Sequence, residues 1–326
     1  MRKRIAILLA ALLFLVLASI SLRVGAVPVP LRELWASLTL QDSPASYIVL
    51  QYRLPRVIVA ALAGFGLAVA GVILQSVIRN PLASPDVIGI TKGAGFTAAI
   101  VIFLFPGAPS YVLPAAAFTG AVGALLILVL LSRKMTLPPS SFALVGVAVG
   151  AVFQAGIQYL LVKHPSDVNM ALLWMSGSLW GRGWDHVRLL LPWIAVLLPV
   201  AWLGYAKLNV LQLGDEGSAA LGLNVPKQRL LLLLIAIGLT GSSVAAVGSI
   251  GFIGLIAPHM ARLLVGGRHQ WLLPLAALIG ADLMLIGDIA GRVLIIPREV
   301  PVGITTAVIG APYFIYLLRR ERLKAA

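Results

Sequence analysis

The chain contains no cysteine and very little charge. The absence of cysteine excludes disulfides, thiolate metal sites and cysteine nucleophiles. Only 11% of the 326 residues are charged and 60% are hydrophobic, whereas about 25% of the residues in a typical soluble domain are charged. A soluble domain of this length would need more polar surface to cover itself. The composition therefore predicts a membrane protein with several spans.

Signatures of enzymes and of nucleotide-binding sites are also missing. The sequence has no Gly-Lys pair, which excludes a Walker A phosphate loop, and it has no HExxH motif. Its four histidines show no metal-ligand spacing. We therefore expect no catalytic, cofactor-binding or metal-binding residue in this chain. Energy for transport would come from an ion gradient or from another subunit.

Long apolar runs are what the sequence has instead. A helix that crosses a bilayer needs about 20 mostly apolar residues. Arg2, Lys3 and Arg4 precede the first run, which we interpret as an uncleaved span, with a cleaved secretory signal as the alternative. The pattern predicts ten spans: Ile5–Leu22, Pro55–Ile78, Thr91–Phe105, Val112–Leu131, Ser140–Val162, Val187–Ala206, Leu230–Val247, Gly251–Val265, Leu272–Leu294 and Val302–Leu318.

The basic residues sort by side when these ten spans alternate in direction. Sixteen of the 25 Lys and Arg residues then fall on the side of the N-terminus, and nine fall on the other. Because cytoplasmic loops carry an excess of Lys and Arg, we expect both termini to be cytoplasmic. The net charge of +14 then reflects membrane orientation rather than nucleic-acid binding. The predicted fold is an all-α polytopic membrane helix bundle of about ten transmembrane helices, forming a single domain over residues 1–326.

The second predicted span carries small residues at a spacing that suits close helix packing. Residues four apart lie on one helix face, and small ones let two backbones approach closely in lipid. Tight packing of the bundle and the lining of a path for a bulky substrate are both consistent with this pattern. The small residues are Ala60, Ala63, Gly64, Gly66, Ala70 and Gly71.

Two segments on the predicted cytoplasmic side are rich in proline. Pro81 and Pro85 prevent a continuous helix through the segment 79–86. Irregular backbone near a membrane is tolerated where it is buried in protein or lines a cavity, so an ordinary loop and a constriction are both possible here. Ser140 and Ser141 follow two prolines in the next such loop, and capping of the following helix would explain them.

Arg53 and Arg56 lie at the predicted start of the second span, on the outer side. Two arginines at a helix N-terminus oppose the helix dipole. This conflict suggests that they present positive charge to an acidic partner, with binding of lipid headgroups as the alternative.

The ninth predicted span contains ionisable residues. Asp288 and Arg292 are four apart on one helix face, which predicts an ion pair between them. Asp282 lies deeper and has no evident partner in its own helix. Charged groups within spans are costly, so Asp282 is either an ion or proton site or a hydrogen-bonded packing residue.

The stretch Asn209–Arg229 is polar but lies between two strongly apolar spans. Asp215 is predicted to cap a short helix over Glu216–Leu221, Gly222 fits the C′ position, and Pro226 prevents continuation. A solvated linker would not need this capping. The pattern therefore favours a helix that docks a cytoplasmic partner over a plain surface loop.

Four stretches of the chain resemble the permease subunits of type II ABC importers, the family that takes up iron-siderophores, haem and vitamin B12. The resemblance covers nearly the whole chain. It is strongest in RLPRVIVAALAGFGLAVAGVILQSVIRNPLASPDVIGITKGAG at 53–95, LGDEGSAALGL at 213–223, GSIGFIGLIAPHMARLLVG at 248–266 and VPVGITTAVIGAPYFIYLL at 300–318. It implies a dimer with a second copy or a related permease, two cytoplasmic ATPase subunits that hold ATP and Mg, and an extracytoplasmic substrate-binding protein or lipoprotein.

The resemblance also implies roles for individual residues. The cytoplasmic segment 209–226 would contain a coupling helix seated on the ATPase, formed by Leu213, Gly214, Asp215, Glu216, Ser218, Ala219, Ala220, Leu221 and Gly222. The cytoplasmic gate would include Asn80, Leu82, Ser140 and Ser141. Arg53 or Arg56, together with Arg292, would receive acidic residues of the binding protein.

The predicted function is that of a permease that moves an iron(III)-siderophore across the cytoplasmic membrane of a bacterium or archaeon. Haem and vitamin B12 are the alternative substrates. An ion-coupled secondary transporter that uses Asp282 is the alternative from a different class. Membrane lipids are expected neighbours of the bundle, and nucleic acid is not an expected partner.

Overall fold

The computed structural model describes residues 1–25, 27–39, 41, 43–134, 139–165, 168–295 and 298–325, with the backbone alone at 132–134, 139–141 and 317–325. These ranges form α-helices joined mostly by short loops. The helices are α1 (Arg2–Arg23), α2 (Leu31–Leu38), α3 (Leu54–Ile78), α4 (Ile90–Leu104), α5 (Val112–Lys134), α6 (Pro139–Lys163), α7 (Val168–Met175), α8 (Trp184–Leu203), α9 (Tyr205–Leu211), α10 (Gly214–Ala220), α11 (Val225–Val247), α12 (Ile253–Val265), α13 (His269–Val293) and α14 (Val302–Ala325). A π-helical segment, Ile48–Arg53, leads directly into α3.

Each of the ten predicted apolar runs is a helix in the structure, namely α1, α3, α4, α5, α6, α8, α11, α12, α13 and α14. Within the described ranges, seven helices are long and apolar enough to cross a membrane. Three shorter apolar helices, Ile90–Leu104, Ile253–Val265 and Val302–Tyr316, complete the set. The prediction of an all-α polytopic bundle is confirmed.

Burial divides the bundle into a centre and a periphery. In the apolar 18-residue stretches of α3, α11 and α13, 89%, 83% and 72% of the residues are buried. In those of α1, α6 and α8, only 17% to 22% of the residues are buried. The peripheral helices expose large apolar side chains such as Leu8, Val162 and Leu203. In water such a surface would be unstable, so it is suited to contact with lipid.

Close backbone contacts at the centre explain the small residues of α3. A Cβ added to Gly64 would lie 2.6 Å from the carbonyl oxygen of Gly280 on α13. A Cβ on Gly71 would collide with the backbone of Gly254 on α12. Tight packing of the bundle, one of the two interpretations of these small residues, is therefore observed at both positions.

Side-chain contacts sort the helix ends into two groups, as alternating spans require. At one end, hereafter the α10 end, Arg79 after α3 pairs with Asp215 of α10, and His269 of α13 contacts Ser76 of α3. At the other, hereafter the α2 end, Arg53 and Arg292 both bind the residues that end α1. The short helices α4 and α12 provide the reversals of direction that this sorting needs.

Between α8 and α11, the helix bounds predicted from the sequence differ from those in the structure. The predicted span Val187–Ala206 corresponds to α8, which ends at Leu203. After Gly204 the chain forms a separate short helix, α9, which continues to Leu211 and so includes the first residues of the polar stretch Asn209–Arg229. The sequence predicted a helix only over Glu216–Leu221 of that stretch. Because Leu208 and Leu211 are buried, α9 packs against the bundle rather than projecting into water.

Candidate functional sites at the two ends of the bundle

The helix α10 is short and ends in a well-formed C-terminal cap. Gly222 has a φ of +80°, the left-handed conformation that favours glycine. Its N–H donates to the carbonyl of Ala219 at 2.9 Å, and the N–H of Leu223 donates to that of Ser218 at 3.0 Å. This pair of bonds is the Schellman motif, so the predicted C′ role of Gly222 is confirmed.

The buried side of α10 is attached to α9, and α9 is attached to the bundle. The Ser218 hydroxyl donates to the carbonyl oxygen of Val210 at 2.9 Å. The Asn209 side chain accepts a hydrogen bond from the backbone N–H of His269 at 2.9 Å. The His269 ring lies 2.7 Å from the Ser76 hydroxyl of α3. A displacement of α10 would therefore be transmitted to α3 and α13 through side chains that are already in contact.

Asp215 does not cap α10, and that prediction is wrong. The helix begins at Gly214 with Leu213 at the N-cap position, so Asp215 lies inside the first turn. Its carboxylate accepts hydrogen bonds from Arg79 and, at 2.9 Å, from Arg229 of α11. A carboxylate in the first turn still interacts favourably with the helix dipole, and here it also joins three segments of the chain.

The opposite side of α10 presents apolar surface outside the bundle. Leu213 and Leu221 are 63% and 64% exposed. Ala219 and Ala220 between them are also exposed. A small apolar surface on a capped, anchored helix is suited to a protein partner, because apolar contact area is the part of an interface that association buries.

The segment after α3 is a compact turn, as its two prolines require. Arg79 ends α3 with a φ of +55°, a left-handed conformation that is uncommon for a residue with a side chain. The Asn80 side chain accepts from the backbone N–H of Leu82 at 2.9 Å. Asn80 and Leu82 are both half-buried. The structure thus holds two predicted gate residues next to Arg79, the partner of Asp215.

Ser140 and Ser141, the other predicted gate residues, lie in α6. Their side chains fall outside the described part of the structure, so neither their gate role nor their capping role is tested. Both remain predictions.

At the α2 end, Arg53 and Arg292 bind the C-terminal end of α1. The Arg53 guanidinium donates to the carbonyl oxygens of Leu22 at 2.9 Å and Arg23 at 2.8 Å, and also to that of Val27. Arg292 donates to the carbonyl oxygen of Ser21 at 2.9 Å. The last carbonyls of a helix have no partner within the helix and carry its negative pole, which favours bound cations.

The predicted placement of Arg53 and Arg56 at a helix N-terminus is wrong, because the π-helical segment Ile48–Arg53 continues into α3. The positive charge of both arginines is compensated inside the chain. Arg53 binds the C-terminal carbonyls of α1, where the helix dipole favours positive charge. Arg56 is paired with Asp288 at 2.7 Å and with Glu299 at 2.8 Å. The predicted pair of Asp288 with Arg292 is confirmed at 2.9 Å. Arg53 and Arg292 are buried, so any docking role for them would act from inside the surface.

A cavity of about 370 Å³ opens among these side chains. Arg53, Arg56, Arg182 and Arg292 line it, with Glu299 as the carboxylate. Arg182, in the loop before α8, donates to the Ser178 carbonyl at 3.2 Å, and burial lowers its pKa. Four guanidinium groups and the two carboxylates of Asp288 and Glu299 leave an excess of positive charge. The cavity is therefore suited to a carboxylate from outside the chain.

Asp282 lies near the middle of α13 and is 4% exposed. Among the described residues, its Oδ1 has no hydrogen-bond partner. The alternative of a hydrogen-bonded packing residue is thus not seen at this atom. Within the same ranges, no three His, Asp or Glu side chains are grouped as ligands for one metal ion.

Sequence reasoning missed several residues that these sites use. No role was predicted from the sequence for Arg79, Arg182, Arg229 or Glu299. Their roles depend on contacts between residues separated by as many as 243 positions, such as Arg56 and Glu299. A single sequence carries no signal for such pairs beyond the presence of opposite charges.

Comparison with known proteins identifies the group to which the chain belongs. A family model described as the FecCD transport family matches residues 11–320. The chain is 52% identical over 323 residues to the Fe(3+)-citrate import system permease protein YfmE of Bacillus subtilis, covering 99% of this chain and 97% of that protein. It is 44% identical to the Fe(3+) dicitrate transport system permease protein FecD of Escherichia coli, covering 94% of this chain and 95% of that protein.

The fold agrees with that match. A solved structure described as an inward-facing conformation of a metal-chelate type ABC transporter superposes with a TM-score of 0.87. It is 32% identical in sequence and covers 96% of this chain and 98% of that chain. With its helical spans and a family match over nearly its full length, the protein is an integral membrane protein and belongs to the FecCD transport family.

Proposed function

We propose that this chain is the permease subunit of an ATP-driven importer that moves an iron(III) chelate of the siderophore type inward across the cytoplasmic membrane. The single observation that carries the proposal is the 52% identity over 99% of the chain to a permease named for Fe(3+)-citrate import. A relative that similar along its whole length supports the same transport class. The chain supplies the path, and it performs no chemistry on the substrate.

We propose that α10 is the coupling helix on which a separate ATPase subunit acts. The exposed side chains of Leu213, Ala219, Ala220 and Leu221 support this role. The sequence has no Walker A loop, so ATP and Mg would be bound by the partner. On this basis the α10 end, which carries the larger share of basic residues, faces the cytoplasm.

The ion pair between Asp215 and Arg79 supports a mechanical link from α10 to a gate. Movement of α10 would pull on Arg79, which ends α3 and precedes Asn80 and Leu82. Those two residues would form part of the cytoplasmic gate, with Ser140 and Ser141 contributed by α6. A second permease, identical or related, would complete the path.

We propose that the α2 end receives an extracytoplasmic binding protein through the arginine-lined cavity. A carboxylate of that protein would enter beside Arg56 and Arg182, where positive charge is in excess. Docking should weaken as salt rises, and Arg56→Gln should reduce it. Arg188→Gln is the control because Arg188 lies at the same end, 78% exposed and outside the cavity lining. Equal docking of both variants at low salt would contradict this role.

The substrate proposal is tested by uptake of radioactive iron. Cells that express the chain with its cognate ATPase and binding protein would be given iron as ferric citrate, as a ferric hydroxamate or as haem. The proposal predicts uptake of a ferric chelate that is lost when the permease gene is deleted. Uptake of haem alone would overturn the siderophore assignment while leaving the importer class intact.

A further inference from the structure

An apolar groove lies on the surface of the bundle and is lined by residues of α3, α8 and α13, with α1 next to it. It has a volume of about 410 Å³, within the range of ligand pockets, and its floor is formed by α3 and α13. Phe14 of α1 borders it through ring contact with Phe65, at 6.1 Å between centroids. The lining residues are Phe65, Val69, Leu198, Pro199, Trp202, Leu273, Pro274, Ala277 and Leu278.

A basic cluster lies beyond the α10 end of this groove. Arg2, Lys3 and Arg4, hereafter the basic cluster, line a second cavity together with Met1 and Trp271. Trp271 is in the first turn of α13, three and seven residues before Pro274 and Leu278, which line the groove. Residues at these spacings share one helix face. One side of α13 therefore leads from the basic cluster into the groove.

The charge near the basic cluster is of one sign. The sequence has no Asp or Glu at 1–32, 186–214 or 217–281, the segments that supply α1, most of α8, α9, α12 and the start of α13. The acidic residues on the predicted cytoplasmic side are Asp86, Asp215, Glu216 and Glu321. Asp86 accepts a hydrogen bond from Thr91 at 2.9 Å, and Asp215 is paired with two arginines. Glu321 lies between Arg320 and Arg322 in the sequence. The three cations of the cluster thus have no acidic partner near them in sequence.

We propose that this composite site holds an anionic phospholipid. The phosphate lies against the basic cluster and Trp271, and an acyl chain lies in the groove. Three observations agree on this occupant. The groove is apolar, the helices beside it are only 17% and 22% buried, and all three charged residues that line the second cavity are positive. Trp202 and Trp271 lie where aromatic side chains favour the boundary between apolar lipid and water. Basic pockets beside spans on the cytoplasmic side suit acidic headgroups.

The test uses the full chain purified with a mixture of phosphatidylglycerol and phosphatidylcholine. Native mass spectrometry would count the molecules of each lipid that remain bound. We expect retention of phosphatidylglycerol over phosphatidylcholine. The triple variant Arg2→Gln, Lys3→Gln and Arg4→Gln should lower that preference by about fivefold for each charge removed. Ala277→Trp, which fills the groove without changing charge, should also reduce the retained lipid.

The control removes an equal number of positive charges, three, near the C-terminus. Arg319→Gln, Arg320→Gln and Arg322→Gln should leave the preference unchanged. An equal loss in this control would overturn the proposal, because charge anywhere on the chain would then suffice. A wild-type protein that retains both lipids equally would also overturn it.

Two further outcomes keep the result decisive. If inorganic phosphate displaces the bound lipid and Ala277→Trp has no effect, the cluster is a free-phosphate site and the proposal is wrong. If the triple N-terminal variant fails to insert, Ala277→Trp decides alone, and unchanged retention in it contradicts the proposal.

Discussion

The carboxylate of Asp215 in α10 is ion-paired with the guanidinium of Arg79, the residue that ends α3. The same carboxylate oxygen accepts from Arg229 of α11 at 2.9 Å. One side chain thus joins a short exposed helix to two central helices of the bundle. Because Asn80 follows Arg79 directly and Leu82 is three residues after Arg79, this ion pair connects the proposed ATPase contact with the proposed gate.

The first prediction is a double-mutant cycle on this pair. Asp215→Asn and Arg79→Gln should each reduce iron uptake per ATP hydrolysed by about fivefold or more, because a coupling free energy between two sites is typically at least about 1 kcal/mol. The double variant should be no worse than either single variant, since both remove one interaction. Stability should change by less than about 1 kcal/mol, because the pair is partly exposed. Losses of uptake that add in the double variant would contradict the connection. The control is Asp185→Asn combined with Arg188→Gln, an exposed pair at the α2 end.

The second prediction concerns the apolar side of α10. Ala219→Glu should prevent association with the ATPase subunit, because an unpaired carboxylate would be buried at the interface at a cost of about 3–5 kcal/mol. Affinity measured by co-purification or by titration in detergent should fall at least about a hundredfold. Ser110→Glu, exposed at the α2 end, should associate normally. A variant with normal ATP-driven uptake would show that α10 is not the contact.

The third prediction concerns the buried carboxylate at the α2 end. Asp288 pairs with Arg56 at 2.7 Å and with Arg292 at 2.9 Å, and its side chain is 2% exposed. Asp288→Asn should destabilise the chain by about 3–5 kcal/mol, because it leaves buried guanidinium charge uncompensated. Thermal unfolding in detergent measures the change. Asp185→Asn removes an exposed partner of Arg188 and should have almost no effect; equal unfolding temperatures of the two variants would disprove the assigned role.

The fourth prediction uses two glycines with opposite surroundings. A Cβ on Gly71 would meet the backbone of Gly254, whereas a Cβ on Gly123 would meet nothing within 4 Å. Gly71→Ala should therefore destabilise the chain by roughly 1–3 kcal/mol through overpacking. Gly123→Ala should be neutral or slightly stabilising, since alanine favours a helix. Equal stabilities of the two variants would mean that α3 and α12 are not in close backbone contact.

The architecture could be predicted from the sequence because it depends on signals that are local or periodic along the chain. Apolar runs predicted ten helices, of which seven are long enough to cross a membrane and three are shorter within the described ranges. Close packing at Gly64 and Gly71 was one of the two interpretations that the small residues allowed. Gly222 was identifiable because a helix C-terminus has its own backbone requirement. Likewise, Asp288 and Arg292 are four apart, so their pair could be predicted from helix geometry.

The functional details were less predictable because they depend on contacts distant in sequence. The prediction that Asp215 caps α10 was wrong, because its carboxylate instead accepts hydrogen bonds from the guanidinium groups of Arg79 and Arg229. The two arginines at the start of α3 seemed to oppose a dipole, yet Arg53 binds the end of α1. Neither outcome follows from one helix considered alone, and both required the packed bundle.

The most direct test of the importer assignment is reconstitution of the permease, its cognate ATPase and its binding protein in liposomes. Vesicles supplied with ATP and Mg at the ATPase face should accumulate radioactive iron supplied as the cognate ferric chelate, in the presence of ionophores that abolish every ion gradient. Asp282→Asn should transport at a similar rate, because transport driven by ATP requires no ion-binding carboxylate in the permease. Iron uptake that needs no ATP, stops when the ion gradient is removed and is abolished by Asp282→Asn would contradict the assignment and establish an ion-coupled transporter instead.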